Sequence, residues 1–156
     1  MAAQRQVENH TRNEIAALLH DQFSRLTRQL RNMDLPQGMT PERLSALSVI
    51  EKLGPISVTA LADREMVRPA TMSRMVSALV DEGLVRRHED REDGRGVLVT
   101  TTPKGRRAYQ RAHQQRLHQF MDALERLTPE QLSAMRGLAS ALEKFTAVLD
   151  GHYGKG

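Results

Sequence analysis

The segment between Ser57 and Thr101 constrains the fold of this chain more than any other part of it. Ser57 is a suitable N-cap for a short helix that ends near Glu65 and turns three apolar residues inward, namely Val58, Leu61 and Ala62. Pro69 is suited to open a second helix, whose i, i+3, i+4, i+7, i+8 apolar stripe consists of Met72, Met75, Val76, Leu79 and Val80. Gly83 is expected to end that helix.

A β-hairpin is predicted directly after these two helices. Residues 84–88 and 97–101 are β-branched or aliphatic runs, and the polar loop between them contains Gly94 and Gly96. Two short helices followed by a hairpin predict a winged helix-turn-helix. In such a unit the hairpin is the wing, and the second helix is the recognition helix.

Further helices are predicted before this unit. From about His10 to Met33, apolar residues recur at alternating steps of four and three, which is typical of a helix packing along another helix; they are Leu19, Phe23, Leu26, Leu30 and Met33. Pro36 and Gly38 break this helix. Thr40 and Pro41 then begin another, which ends before Gly54 and Pro55 and has inward positions at Leu44, Leu47, Ile50 and Leu53.

Two helices are predicted after the hairpin. The first begins at Thr102 and Pro103, and its predicted buried residues are Leu117, Phe120, Met121, Leu124 and Leu127. Thr128 and Gln131 form a capping box that begins the last helix, which continues through the apolar residues Leu132, Met135, Leu138, Leu142, Phe145 and Leu149. The tail 151–156 is expected to fray.

The predicted fold class is therefore mainly α with a small β-hairpin wing, a winged helix-turn-helix flanked by dimerisation helices. We expect an N-terminal dimerisation helix at 1–39, a winged DNA-binding domain at 40–101 and C-terminal dimerisation helices at 102–156. The outer helices are assigned to a dimer because their apolar faces lie outside the compact winged unit.

Composition restricts the class of partner. The formal net charge of +4 favours a polyanion, while the aromatic content of 3% with no Trp leaves few rings for stacking unpaired bases. Duplex DNA fits this balance better than single strands. The chain has no Cys, its six His are scattered without i, i+4 pairs, and it carries no recognisable enzyme motif, so we expect no cofactor, no metal and no catalysis. Because neither a signal peptide nor an apolar run of about 18 residues occurs, we expect no membrane association and a cytoplasmic location.

The predicted recognition helix has a small, polar face opposite its apolar stripe. Its candidate DNA-binding residues are Arg68, Pro69, Ala70, Thr71, Ser73, Arg74 and Ser77. Arg68 and Arg74 can donate two hydrogen bonds to guanine, and Thr71 can contact a base edge or a thymine methyl group. Ser73 is better placed for a phosphate.

The hairpin supplies the second set of candidates, Arg86, Arg87, Arg91, Asp93 and Arg95. Asp93 is expected to orient Arg95 by a charge-assisted hydrogen bond, so that the guanidinium can enter a narrow A·T-rich minor groove. Arg86 and Arg87, where the hairpin begins, can contact phosphates or serve solubility. Nearby basic residues are equally suited to phosphate contact or to solubility; they are Arg64, Lys104, Arg106 and Arg107.

On these residues the chain resembles the multiple-antibiotic-resistance regulator (MarR) family of transcription factors. The resemblance rests on RPATMSR at 68–74, LVDEGLVRR at 79–87, Asp90 with Asp93-Gly94-Arg95, LVT at 98–100 and TPKG at 102–105. It implies a homodimer that represses transcription by occluding a pseudo-palindromic promoter site and is released by a small aromatic or anionic ligand. One departure is REMVR at 64–68, where members often have a more apolar, glycine-containing link.

Three alternatives remain open at this point. A non-specific architectural DNA-binding protein would bind with strong salt dependence and without sequence discrimination. A winged helix used as a protein-interaction module would have an uncharged or apolar recognition face. Arg74 and the wing arginines favour phosphates and bases instead. A zinc sensor is the least supported alternative, because its ligands would have to converge from distant positions.

Overall fold

The computed structural model describes residues 2–89 and 96–153, with side chains described over 9–89 and 96–151. In these ranges the chain forms six helices and three strands. The helices are α1 Ala2–Asn32, α2 Pro41–Leu53, α3 Val58–Arg64, α4 Pro69–Asp81, α5 Pro103–Leu124 and α6 Pro129–Tyr153, and the strands are β1 Ile56–Ser57, β2 Val85–Glu89 and β3 Val97–Thr101. The prediction of a mainly helical chain with a winged helix-turn-helix is confirmed.

The strands form one antiparallel sheet in the order β1-β3-β2. In the hairpin Val85 pairs with Thr101 and Arg87 with Val99, while β1 adds the pair Ile56 and Val99 on the other side of β3. The sequence predicted the hairpin but not β1, because two residues are too few to show the alternation that marks a strand. Ile56 is buried, so β1 fixes the start of α3 against the sheet.

Side-chain caps fix the starts of three helices as predicted. Thr40 accepts a hydrogen bond from the Arg43 backbone N–H at 3.3 Å, and Ser57 accepts one from Ala60 at 3.1 Å. At α6 the capping box is complete, because Gln131 Oε1 accepts from the Thr128 N–H at 3.0 Å and Thr128 Oγ1 accepts from the Gln131 N–H at 3.3 Å.

The core is shared between the winged helix-turn-helix and the two helices that flank it, α2 and α5. It joins residues of α2, α3 and α4 to the strands and to the first half of α5, and its largest fully buried side chains are Leu47, Ile50, Leu61, Met72, Leu79, Val76, Val85 and Val99. From α5 it includes Tyr109 and Ala112. The compact unit that contains this core runs from Met1 to Arg116, and a second unit comprises Leu117–Gly156.

Several burial predictions are wrong in the isolated chain. Leu53 is 47% exposed. The residues of the predicted row, Leu44, Leu47, Ile50 and Leu53, are three apart, and three residues turn a helix by about 300° rather than a full 360°. The row therefore leaves the buried face by the end of α2. On α5, Leu117, Phe120 and Met121 are exposed and Leu124 is half-buried, as is Leu127 in the turn after the helix. The buried residues of that helix are Gly105, Tyr109 and Ala112, a row that a search for large aliphatic residues passes over.

Two helix boundaries also differ from the prediction. The first helix begins at Ala2 rather than near His10, since the polar residues before His10 carry no apolar period but are good helix formers. The last helix continues to Tyr153, so the predicted fraying at 151–153 does not occur. Gly151 therefore lies within the helix, and a β carbon added there would have no other atom within 4 Å.

Candidate nucleic-acid interface

One side of α4 is buried and the other is open. Met72, Val76 and Leu79 are almost fully buried against the core, which fixes the rotation of the helix about its axis. The opposite side is exposed and begins at the N-terminus with the predicted residues Arg68, Pro69, Ala70, Thr71, Ser73 and Arg74. Four of these six side chains are small, so the backbone of the first two turns can approach a groove closely. Arg68 is the N-cap residue and makes no capping hydrogen bond through its side chain.

The turn between α3 and α4 is closed by two backbone hydrogen bonds. The Val67 N–H donates to the Ala62 carbonyl at 3.0 Å, and the Met66 N–H donates to the Asp63 carbonyl at 3.2 Å. This is a Schellman motif, in which the residue after the C-cap takes a left-handed conformation and is usually glycine. Here that residue is Met66, with a φ of 52°. Methionine therefore stands where a Schellman motif usually has glycine, and the backbone forms the turn nevertheless.

Met66→Gly is expected to stabilise the protein by about 0.5–1 kcal/mol. A side chain in the left-handed region costs about 1–2 kcal/mol, and the greater entropy of an unfolded glycine offsets part of the gain. Urea unfolding measures the difference. Met66→Ala is the matched variant. It keeps a β carbon in the left-handed conformation, and it loses little contact because Met66 is 92% exposed, so its free energy of unfolding should remain close to that of wild type. Equal stability of the two variants would show that the left-handed conformation of Met66 carries no strain.

The C-terminal end of α4 has the same motif with glycine in the expected place. Gly83 has a φ of 69°, its N–H donates to the Val80 carbonyl at 2.8 Å, and the Leu84 N–H donates to the Leu79 carbonyl at 2.8 Å. Leu79 and Leu84 are both buried, which supplies the apolar contact that accompanies this motif. The chain can therefore leave α4 and enter β2 without a longer loop.

The TPKG run at 102–105 binds this corner from the start of α5. Thr102 Oγ1 donates to the Gly83 carbonyl at 2.6 Å and accepts from the Gly105 N–H at 3.0 Å. Lys104 Nζ donates to the Glu82 carbonyl at 2.7 Å. The carbonyl groups left free at the end of α4 are thus satisfied by α5. Lys104, which the sequence left open between a phosphate contact and solubility, has an intramolecular partner.

Gly105 permits the close approach of α5 to the corner between α4 and β2. A β carbon at this position would lie 2.7 Å from the carbonyl carbon and 3.1 Å from the α carbon of Leu84, and closer still to its oxygen. Backbone atoms cannot move aside as the end of a side chain can. In the sequence Gly105 stands out only as part of the TPKG run, and this packing role gives no signal there.

Two predicted contact residues, Ser77 and Arg87, bind each other. Arg87 Nη2 donates to Ser77 Oγ at 2.8 Å, and Ser77 Oγ donates to the Ser73 carbonyl one turn earlier at 3.0 Å. Ser77 is half-buried. Its hydroxyl therefore links the wing strand β2 to α4. Arg87 remains exposed to solvent beside this contact.

The remaining wing candidates divide into two groups. Arg86 lies in β2, where its Nε donates to Thr100 Oγ1 of the paired strand at 3.2 Å. Arg91, Asp93 and Arg95 lie outside the described residues, so their predicted roles rest on the sequence.

Other basic residues near the winged unit hold helices together. Arg43 of α2 pairs with Glu82 after α4 and also donates to the Gly38 carbonyl. Arg106 Nε lies 2.7 Å from Glu51 Oε1, and the other Glu51 oxygen accepts from Thr101 Oγ1. Arg106, which the sequence left open, is thus part of a contact between α2, β3 and α5.

An open groove of about 630 Å³ lies beside α5 in the first compact unit. Its lining residues are Pro36, Arg107, Gln110, Arg111, Gln114 and Gln115. Arg107 and Arg111 are one helical turn apart, and both are exposed. The groove therefore has a cationic wall and amide groups that can accept or donate hydrogen bonds.

Large apolar side chains are exposed on the outer helices. On α1 they include Ile15, Leu18 and Leu26, and on α5 they are Leu117, Phe120 and Met121. The largest set is on α6, where Leu132, Met135, Leu138, Phe145, Val148 and Leu149 are each at least 38% exposed. Together with the half-buried Leu142, the α6 positions repeat at three- and four-residue steps, so they form a face rather than isolated surface residues.

Within 2–89 and 96–153, no group of three or more His, Asp or Glu residues is placed to hold a metal ion. None of the helices in the described part of the chain is both long and apolar enough to cross a membrane.

Comparisons with known proteins agree with this geometry. A family model described as the MarR family matches residues 39–97. An uncharacterized HTH-type transcriptional regulator of Mycobacterium bovis is 36% identical over 121 residues, covering 76% of this chain and 85% of that protein. A MarR family protein from Bacillus stearothermophilus superposes with a TM-score of 0.75 at 21% identity, covering 89% of this chain and 97% of that one. The PcaV transcriptional regulator of Streptomyces coelicolor, solved with its natural ligand, gives a TM-score of 0.60 at 19% identity, with coverages of 81% and 89%.

Proposed function

Because the chain belongs to the MarR family of transcription regulators, we propose that it is a homodimeric, sequence-specific repressor that binds double-stranded DNA and is released by a small ligand. Members of this family are regulators and not enzymes. The observation that carries the proposal is the exposed, small-residue face of α4, held outward by the burial of Met72, Val76 and Leu79. Its place of action is the cytoplasm, where an operator is accessible.

In this proposal the first two turns of α4 lie in the major groove. Arg74 offers two donors to the O6 and N7 atoms of guanine, and Ala70 and Thr71 pack against thymine methyl groups or base edges. Arg68, at the N-cap, reaches a base or phosphate at the edge of the groove, and Ser73 contacts the backbone. The positive end of the α4 dipole, with no acidic residue in its first turn, favours the same approach to DNA.

The wing completes each half-site. Arg95, oriented by Asp93, enters the minor groove, while Arg91 and the exposed parts of Arg86 and Arg87 contact phosphates. Arg95→Ala is therefore expected to weaken binding most on sites with A·T-rich flanks, where the narrow groove has the most negative potential. Fluorescence anisotropy on two operators that differ only in flank composition measures this, and equal losses on A·T-rich and G·C-rich flanks would argue against the insertion.

Dimerisation uses the N-terminal helix and the C-terminal helices, the segments 1–39 and 102–156. The apolar faces of α1 and α6 are exposed in the single chain, and exposed faces of this extent mark protein interfaces in soluble proteins. A second copy of the chain buries them and places two winged domains, at 40–101, on successive half-sites. Occlusion of a promoter by such a dimer is how it represses.

The groove beside α5 is our candidate for the ligand site. Arg107 and Arg111 offer two guanidinium groups one turn apart, a combination that pairs with a carboxylate. The start of the same helix holds the C-terminal end of α4, so a ligand that shifts α5 changes the position of the recognition helix. Benzoate is expected to release bound operator DNA, and benzamide, its uncharged analogue, is not. Release by both or by neither would count against an anion-binding groove.

Specific and non-specific binding are separated by a comparison of two duplexes. The protein is titrated onto the promoter region of its own gene and onto a random duplex of equal length and composition, at roughly 50 and 200 mM salt. A repressor keeps a preference of at least about 10³-fold for the promoter. An architectural protein binds both duplexes alike with a steep salt dependence, and a protein-interaction module binds neither.

A further inference from the structure

The wing and the recognition helix are joined by a hydrogen-bonded chain of three residues. Arg87 of β2 donates to Ser77 of α4, and Ser77 donates to the carbonyl of Ser73. Arg86, the neighbouring residue in the strand, instead donates to Thr100 within the hairpin. Because successive strand residues point to opposite faces, only one of these two arginines can reach α4.

The position of Arg87 along β2 explains why it can act as a brace. Val85, two residues earlier on the same face, is buried in the core and anchors the base of the hairpin. Arg87 lies about 7 Å farther along the strand, toward the wing tip. Its bond to Ser77 therefore fixes the hairpin against α4 at a second point, beyond the hydrophobic core.

We propose that Arg87 is a positioning residue, which holds the wing at a fixed angle to the recognition helix and acts on DNA affinity through Ser77. The inference rests on the proposed DNA-binding function. A protein that reads both grooves must bring α4 and the wing to the duplex at the same time. If the two elements are already fixed in the free protein, less conformational entropy is lost on binding. The guanidinium has five donors, so Arg87 can bind Ser77 and a phosphate together.

A double-mutant cycle on operator affinity tests the proposal. Ser77→Ala removes the acceptor but no charge, and alanine is the better helix former, so α4 remains intact. We expect it to weaken operator binding about three- to tenfold while the salt dependence of binding stays unchanged, in keeping with the loss of one hydrogen bond. Arg87→Ala should weaken binding further and lower the salt slope by about one, because a phosphate contact is also lost. The double variant should bind no more weakly than Arg87→Ala alone.

Arg86→Ala is the matched control. It removes the same charge from the adjacent residue, whose hydrogen bond stays within the hairpin, so its effect should add to that of Ser77→Ala. All affinities are measured well below the thermal unfolding midpoint of each variant, so that a loss of fold is not read as a loss of binding.

The positioning role would be overturned if the effects of Ser77→Ala and Arg87→Ala on operator affinity were additive. It would also be overturned if the Ser77→Ala variant bound the operator as tightly as wild type. A changed melting temperature with unchanged affinities would overturn it as well, since the bond would then serve stability alone. Failure of the proposed function is distinguishable from these results, because the wild-type protein itself would then show no preference for its operator.

Discussion

Gly105→Ala is expected to destabilise the protein by about 3 kcal/mol or more, the largest effect that we predict for a single methyl group. The added β carbon would lie 2.7 Å from the carbonyl carbon of Leu84. Relief requires α5 to move away from the corner between α4 and β2. That movement breaks the hydrogen bonds of Thr102 to Gly83 and Leu84 and of Lys104 to Glu82, which satisfy the end of the recognition helix.

Urea unfolding of the two glycine variants makes this prediction quantitative. Gly137 lies in α6, and no described atom is within 4 Å of the position that its β carbon would take. Gly137→Ala should therefore stabilise the chain by about 0.5–1 kcal/mol, the usual gain in an open helix position. A loss of less than about 1 kcal/mol in the free energy of unfolding of Gly105→Ala would contradict the close packing of α5 on Leu84.

Arg74→Ala is expected to abolish discrimination at one base-pair position of each half-site, at a cost of about 1–3 kcal/mol. Arg74 is exposed on the small-residue face of α4, opposite the buried Met72 and Val76. A guanidinium there can donate two parallel hydrogen bonds to guanine, and no other residue type offers the same pair with a positive charge. Loss of the side chain should leave binding to the other positions of the operator intact.

Competition with operators that carry each single substitution in turn measures this effect. The wild-type protein should be penalised at one G·C pair at which Arg74→Ala accepts all four bases equally. Arg136→Ala, which removes an exposed arginine from α6, controls for the loss of one positive charge. Uniform weakening of Arg74→Ala on every operator would assign Arg74 to the phosphates and contradict base reading.

Local signals in the sequence were sufficient for most of the fold. Helix starts depend on a hydroxyl and the three residues after it, so Thr40, Ser57 and Thr128 could be assigned as caps without knowledge of the rest of the chain. The apolar stripe of α4 was equally local: the structure buries Met72, Val76 and Leu79, and it half-buries the other two predicted residues, Met75 and Val80.

Features that depend on two distant segments could not be predicted. Gly105 and Ala112 are buried because small residues let α5 approach the core. The sequence prediction followed the large apolar residues of α5 instead, and these lie at the exposed end of the helix. β1 exists only because Ile56 reaches Val99 of the hairpin. Met66 carries no sequence signal for a left-handed turn, and its conformation is imposed by the two hydrogen bonds that close the turn.

The sequence predicted which side of α4 is open, but not the contacts that its residues make within the chain. The exposed face of α4 follows from helix periodicity, and the exposure of Arg68, Thr71 and Arg74 agrees with it. The bond between Ser77 and Arg87 could not be foreseen, because it depends on how the hairpin packs against the helix. It gives Ser77 and Arg87 an intramolecular contact, to which the proposed function adds a phosphate contact for Arg87 alone.

Selection of bound fragments from random duplex DNA tests the central claim most directly. The purified full-length protein is used, and the enriched sequences are aligned without any assumption about symmetry. A dimer with two recognition helices predicts a pseudo-palindrome whose half-sites are centred about 10 bp apart, each with A·T-rich flanks for the wings. Enrichment of a single unpaired half-site, or of no common sequence at all, would contradict a homodimeric repressor that reads DNA through α4.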